Sequence, residues 1–213
     1  PRVVLYILAL LAGGWLVAVV ALSWWTWWCP KADAVHFART SDGWDLAIHE
    51  LRPDPGALPA PRPVILCHGI LMGRYCWLPP DGVPSVAEHL RRRGYHLWIV
   101  ELRGSGLSTR RWDYGFRDYA DYDVEALVEE VKRKTGAASV DWVGHSMGGL
   151  VGYARLARKG PGSIHKMVTL GSPVVIGRAM NRLFAPAIVG PILRMFHSLN
   201  LSVICSFEYF NPQ

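Results

Sequence analysis

One stretch constrains this chain more than any other: residues 140–150, Val-Asp-Trp-Val-Gly-His-Ser-Met-Gly-Gly-Leu. The apolar run at 139–143 reads as a strand, Gly144-His145-Ser146-Met147-Gly148 as a tight turn, and 149–159 as a helix. A Gly-x-Ser-x-Gly turn that joins a strand to a helix places its serine in a strained backbone conformation, with Oγ lifted clear of the sheet. Gly144 and Gly148 leave room for strand and helix to pass closely. Ser146 is therefore the candidate nucleophile. The competing reading is a glycine-rich turn with no chemistry, and the strand before and the helix after weigh against it.

The rest of the chain supplies the setting. Strand-like runs at 34–40 and 44–51 flank Ser41-Asp42-Gly43, a hairpin signal. Residues 52–63 carry five prolines and read as a loop. Short apolar runs at 63–67, 95–100 and 166–170 read as buried strands, and 83–93 and 116–134 as helices. In the second helix acids precede Lys132-Arg133-Lys134, which complements the helix dipole, and Thr135-Gly136 closes it. Strands alternating with helices predict an α/β fold with an open, mostly parallel sheet and a site at the strand C-termini.

At the C-terminal end of the 63–67 run stands His68-Gly69-Ile70-Leu71-Met72-Gly73. Acyl transfer needs N–H donors aimed at the oxygen that becomes negative, each worth roughly 3–4 kcal/mol when held in place. The backbone amides of Ile70 and Met147 are the candidate oxyanion donors. His68 and Gly69 on one side, and Gly144, His145 and Gly148 on the other, are read as turn support; His68 fits a turn-stabilising role better than a general base. The glycines of Glu101-Leu102-Arg103-Gly104-Ser105-Gly106-Leu107-Ser108 match neither a P-loop nor a dinucleotide fingerprint and are read as a structural turn.

Taken together, the His68-Gly69-Ile70 turn, the 101–108 turn, Thr135-Gly136 and Gly144-His145-Ser146-Met147-Gly148-Gly149 resemble a lipase- or esterase-type α/β-hydrolase over about residues 35–173. The resemblance implies a serine nucleophile, an ester or similar acyl substrate, a covalent acyl-enzyme and no cofactor. Serine rather than aspartate at the elbow argues against dehalogenase-like or epoxide-hydrolase-like members.

Composition narrows the remaining choices. The chain has 213 residues and a net charge of +6 with its basic residues scattered, so Arg91-Arg92-Arg93 reads as a solvated helix face rather than a nucleic-acid patch. Cys29, Cys67, Cys76 and Cys205 lack metal-ligand spacing, so no metal is expected. Residues 3–28 contain no charge, and at about 1.5 Å per residue they exceed the roughly 30 Å of a bilayer core. Trp24, Trp25, Trp27 and Trp28 stand where interfacial indoles belong. Residues 1–30 are thus expected to form a single-pass membrane anchor; a signal peptide or a buried helix fits less well. Residues 31–173 are expected to form the hydrolase core and 174–213 the start of a cap, whose apolar residues between Leu183 and Phe196 would line an acyl pocket or simply pack.

In this fold the triad runs Ser, then acid, then His. After Ser146 the only acid is Glu208, and His165 and His197 both precede it. His145 is too close to Ser146 in sequence to serve as its base. Three readings follow: the acid and base lie beyond residue 213, which Pro1 in place of a methionine also fits; the fold is a non-catalytic binding protein; or His165 or His197 is an unusual base. The first is preferred. The expected function is hydrolysis of carboxylic esters of apolar or lipid-like acyl groups, with an acyltransferase on the same fold as the alternative and no nucleic-acid partner.

Overall fold

A computed structural model of the chain describes residues 32–78, 84–111 and 113–172, with residues 6, 10 and 13–18 of the amino-terminal segment. The expected cap, with His197 and Glu208, lies outside the described residues, as does most of the expected anchor. Among the described residues no helix is long and apolar enough to cross a membrane.

Six strands, β1 (Ala34–Arg39), β2 (Asp45–Leu51), β3 (Val64–Cys67), β4 (Leu97–Val100), β5 (Val140–His145) and β6 (Ile164–Leu170), form one sheet in the order β1-β2-β4-β3-β5-β6. β1 and β2 join the edge antiparallel, and β4, β3, β5 and β6 run parallel. β3 and β4 are buried at every position, as short strands covered on both faces must be. Their side chains alternate between two cores. Ile65, Cys67, Trp98 and Val100 meet Val124, Leu127, Val128 and Val131 on one face. Val64, Leu66, Leu97 and Ile99 meet Ala87, Trp77 and Leu78 on the other.

The helices start and stop where local chemistry dictates. α1 (Val86–Arg92) begins later than the sequence pattern predicts, because Ser85 caps it by accepting from the Glu88 N–H at 3.0 Å. The expected 116–134 helix is not continuous: an α-turn (Phe116–Asp118) and a π-turn (Tyr119–Asp123) precede α2 (Val124–Thr135). The π-turn has a physical reason. Asp123 is fully buried there, accepting from Arg103 through its backbone N–H at 3.0 Å and its Nε at 2.7 Å. Gly136 closes α2 at φ 71°, donating to the Lys132 carbonyl at 2.8 Å.

The sheet also fixes where a ligand can sit. β3 lies between β4 and β5, so the chain leaves β3 for one neighbour and returns on the other side to form β5. Crevices at such switch points, beyond the strand C-termini, are where open α/β sheets bind ligands. Cys67 pairs with Gly144, and the segments that follow both strands therefore leave the sheet side by side.

Candidate active site

β5 runs two residues further than the sequence pattern predicts, to His145, and α3 (Met147–Lys159) starts two residues earlier. The extra pairing comes from β6, where His145 lies opposite Leu170 and the Ser146 N–H donates to the Leu170 carbonyl at 2.8 Å. Ser146 is left as the single joint between strand and helix, at φ 48° and ψ −113°. A non-glycine residue held there is strained by about 1–3 kcal/mol, a conformation that persists only where its surroundings fix it. Those surroundings are specific. A Cβ on Gly144 would lie 2.5 Å from the Gly148 carbonyl, and one on Gly148 would lie 2.5 Å from the Cys67 carbonyl oxygen. The fully buried Trp142 indole donates to the Gly148 carbonyl at 3.2 Å and secures the first turn of α3 to the strand beneath it.

The His68-Gly69 turn leaves β3 directly beside this joint. A Cβ on Gly69 would lie 3.3 Å from the Ser146 Cβ, 3.0 Å from His145 Nδ1 and 3.2 Å from the Met72 sulfur. The turn closes through Met72 N–H to the Gly69 carbonyl at 3.2 Å, with Leu71 at φ 59°. His68 is fully buried and fixed at both nitrogens. Its Nε2 accepts the Leu102 N–H at 3.2 Å, so Nδ1 carries the proton and donates to the Gly69 carbonyl at 2.7 Å. Burial lowers its pKa, which keeps the ring neutral. His68 is thereby committed to shaping the turn and has no nitrogen left for proton transfer. Ile70 is 45% exposed, and its amide has no acceptor among the described residues. The Met147 amide is the first of α3, where no intrahelical acceptor exists. His145 directs Nδ1 toward the Cys76 sulfur, 3.6 Å away.

Two further groups at this edge carry more of the site than their sequence pattern suggests. Glu101, at the end of β4, is fully buried and its carboxylate accepts from the backbone N–H and Nη1 of Arg74, at 3.3 and 3.2 Å, and from the Leu107 N–H at 2.8 Å. It also pairs with His49 Nε2 at 3.1 Å. Burial opposes its ionisation, but these partners together hold its pKa down at about 2. Arg103 is equally buried, bridging Asp42 of the β1–β2 turn at 2.8 Å to Asp123 of the π-turn, with Trp44 stacked 4.7 Å from its guanidinium. Both anchors join the 101–108 turn to distant segments, contacts that local sequence does not display.

The described histidines place no base at Ser146. His165, expected as one possible base, lies at the opposite end of the sheet, where its Nδ1 is 3.3 Å from Asp141 at the start of β5. The structure removes this less-favoured alternative through register: β6 runs parallel to β5, so a residue near its beginning cannot reach the C-terminal edge. Neither Cys67 nor Cys76 is in a disulfide among the described residues, and Cys29 and Cys205 lie outside them. Among the described residues no group of three or more His, Cys, Asp or Glu is arranged to hold a metal ion.

Comparison with known proteins agrees with this architecture. Triacylglycerol lipase 2 of Arabidopsis thaliana is 25% identical over 200 residues, covering 87% of this chain and 46% of the lipase. Gastric triacylglycerol lipase of Rattus norvegicus is 26% identical over 145 residues, covering 62% of this chain and 36% of the lipase. The chain thus spans less than half the length of either lipase. Among solved structures, the esterase RhEst1 from Rhodococcus sp. ECU1013 shares the fold with a TM-score of 0.53 at 23% identity, over 79% of this chain and 69% of that one. The family model described as alpha/beta hydrolase fold matches residues 62–188, which include β3, the 101–108 turn and the Ser146 joint. The chain belongs to the α/β-hydrolase family.

Proposed function

We propose that this chain carries the nucleophile and oxyanion half of a serine carboxylester hydrolase acting on apolar or lipid-like acyl groups. The observation that carries this reading is Ser146 at φ 48°, the single residue between β5 and α3, with the Gly69 turn packed beside it. In the proposed reaction Ser146 Oγ attacks the ester carbonyl and gives its proton to a histidine base. The carbonyl oxygen becomes an oxyanion, which accepts from the Ile70 and Met147 amides. Collapse breaks the bond to the alcohol, which leaves with the proton and yields an acyl-Ser146 ester. Water, deprotonated by the same base, then releases the carboxylic acid. Of the histidines placed near the elbow, His68 is used for the turn and His145 faces Cys76. The base and its acid are therefore assigned outside the described residues.

Support for an apolar acyl group comes from the names of the relatives, two of them triacylglycerol lipases, and from the exposed Ile70 at the turn and Leu107 in the 101–108 loop. A membrane anchor at residues 3–28 belongs to the same proposal, supported by the uncharged length and the terminal tryptophans. Alkaline carbonate washing of membranes is expected to leave the protein in the pellet, and deletion of residues 1–30 to move it to the supernatant; release of the intact protein overturns the anchor. The enzyme reading is tested with a fluorophosphonate probe, which is expected to modify the whole protein at Ser146 and to leave Ser146→Ala unmodified. An intact protein that resists the probe supports a non-catalytic binding role instead.

A further inference from the structure

The oxyanion turn at 68–73 has two footings, and both stand on the residues that follow β4. His68 accepts the Leu102 N–H at 3.2 Å and, through its other nitrogen, holds the Gly69 carbonyl. At the far end of the turn, Arg74 is held by Glu101 through both its backbone N–H and its guanidinium. Glu101 is itself immobilised. Its N–H donates to the Ala47 carbonyl at 2.9 Å, and its carbonyl accepts from Ser108 Oγ at 2.6 Å, with that same hydroxyl accepting the Ala47 N–H at 2.9 Å. The fit around its carboxylate is close. A Cβ on Gly73 would lie 3.2 Å from Oε1, and one on Gly106 would overlap the carboxylate. Arg74 also opens the short 3-10 turn (Arg74–Cys76) that carries the Cys76 sulfur to His145, the residue before the nucleophile.

From this chain of contacts we infer that Glu101 is a positioning residue for the oxyanion turn, acting through Arg74 to set where the Ile70 amide points. It touches neither substrate nor Ser146. The inference rests on the proposed serine chemistry and adds to it a residue that sets rate rather than affinity. An ionised carboxylate is required at this position, because it accepts from three N–H donors and a histidine, and an amide would bring its own N–H against at least one of them. Displacing an oxyanion donor by a fraction of an ångström weakens transition-state stabilisation while leaving ground-state binding of the acyl group largely intact.

The test measures the limiting acylation rate and the half-saturating concentration of a fluorophosphonate probe on the intact protein. Arg74→Ala and Glu101→Gln are each expected to lower the limiting rate about 10-fold or more with little change in half-saturation. Arg74→Lys, which keeps the charge, is expected to recover part of the loss. Leu127→Ala, a core change in α2 with its own stability loss, is expected to keep the wild-type rate in the folded protein. Amide hydrogen exchange in residues 69–73 is expected to quicken in Arg74→Ala, independently of the probe. An Arg74→Ala protein with a wild-type limiting rate, or with unchanged exchange in the turn, overturns the inference alone. A wild-type protein that takes no probe overturns the serine reading and this inference with it.

Discussion

At the scale of single residues, the strain at Ser146 and the ionisation of Glu101 make opposite demands on stability. A φ of 48° suits glycine better than serine, so Ser146→Gly is expected to stabilise the fold by about 1 kcal/mol, raising the melting temperature by about 2–4 °C, while removing the proposed nucleophile. Calorimetry on the two proteins checks this; an unchanged or lower transition would mean that the serine is not strained. Gly148→Ala should do the reverse, because its Cβ would meet backbone oxygens of Cys67 and His68, which cannot move without shifting β3. Loss of the folded state, or destabilisation of about 2 kcal/mol or more in denaturant titration, is expected. Glu101 contributes to the acid limit of the fold, together with Glu50. Its folded pKa, about 2, lies below the unfolded value near 4.5, so its stabilisation is complete above pH 4.5 and is lost as the pH falls toward 2. Unfolding free energy should decline by about 3 kcal/mol over that window on its account, and Glu101→Gln should flatten the decline. An equally steep decline in the variant would assign the acid sensitivity to other carboxylates, Glu50 being the other group held at about 2.

At the scale of elements, the strand–turn–helix at 139–159 and the alternation around it were legible because each depends on local pattern. Continuous apolar runs marked β3 and β4, and Thr135-Gly136 marked the end of α2. The ends of β5 and α3 were misjudged because Leu170, on another strand, extends the pairing to Ser146. The π-turn could not be read from spacing at all. It exists because Asp123 must turn inward to meet Arg103, a partner 20 positions earlier. That buried bridge makes its own prediction. Arg103→Met leaves Asp42 and Asp123 without their guanidinium, and a destabilisation of about 3–5 kcal/mol is expected in urea titration. A loss below about 1 kcal/mol would show that the bridge is dispensable. The candidate site follows the same rule: the serine and the His-Gly turn announce themselves as motifs, whereas Glu101 and Arg74 meet only across the folded sheet.

At the scale of the whole molecule, sheet order converts two separate motifs into one site. β3 and β5 are neighbours although α1, β4 and α2 separate them in sequence, so the His68-Gly69 turn and Ser146 leave adjacent strand ends. The parallel direction of β6 removes His165 from consideration, since the start of β6 lies beside the start of β5, at the end of the sheet away from Ser146. The described residues therefore assemble a strained serine, the Gly69 turn beside it and a buried carboxylate bonded to Arg74 at the end of that turn, with no histidine at the serine hydroxyl. The central claim is that Ser146 is a nucleophile set opposite that turn. Peptide mass spectrometry of the intact protein after fluorophosphonate treatment tests it most directly. The adduct is expected on Ser146 alone and absent from Ser146→Ala; no adduct on the wild-type protein, or an adduct that persists in the variant, would contradict the claim.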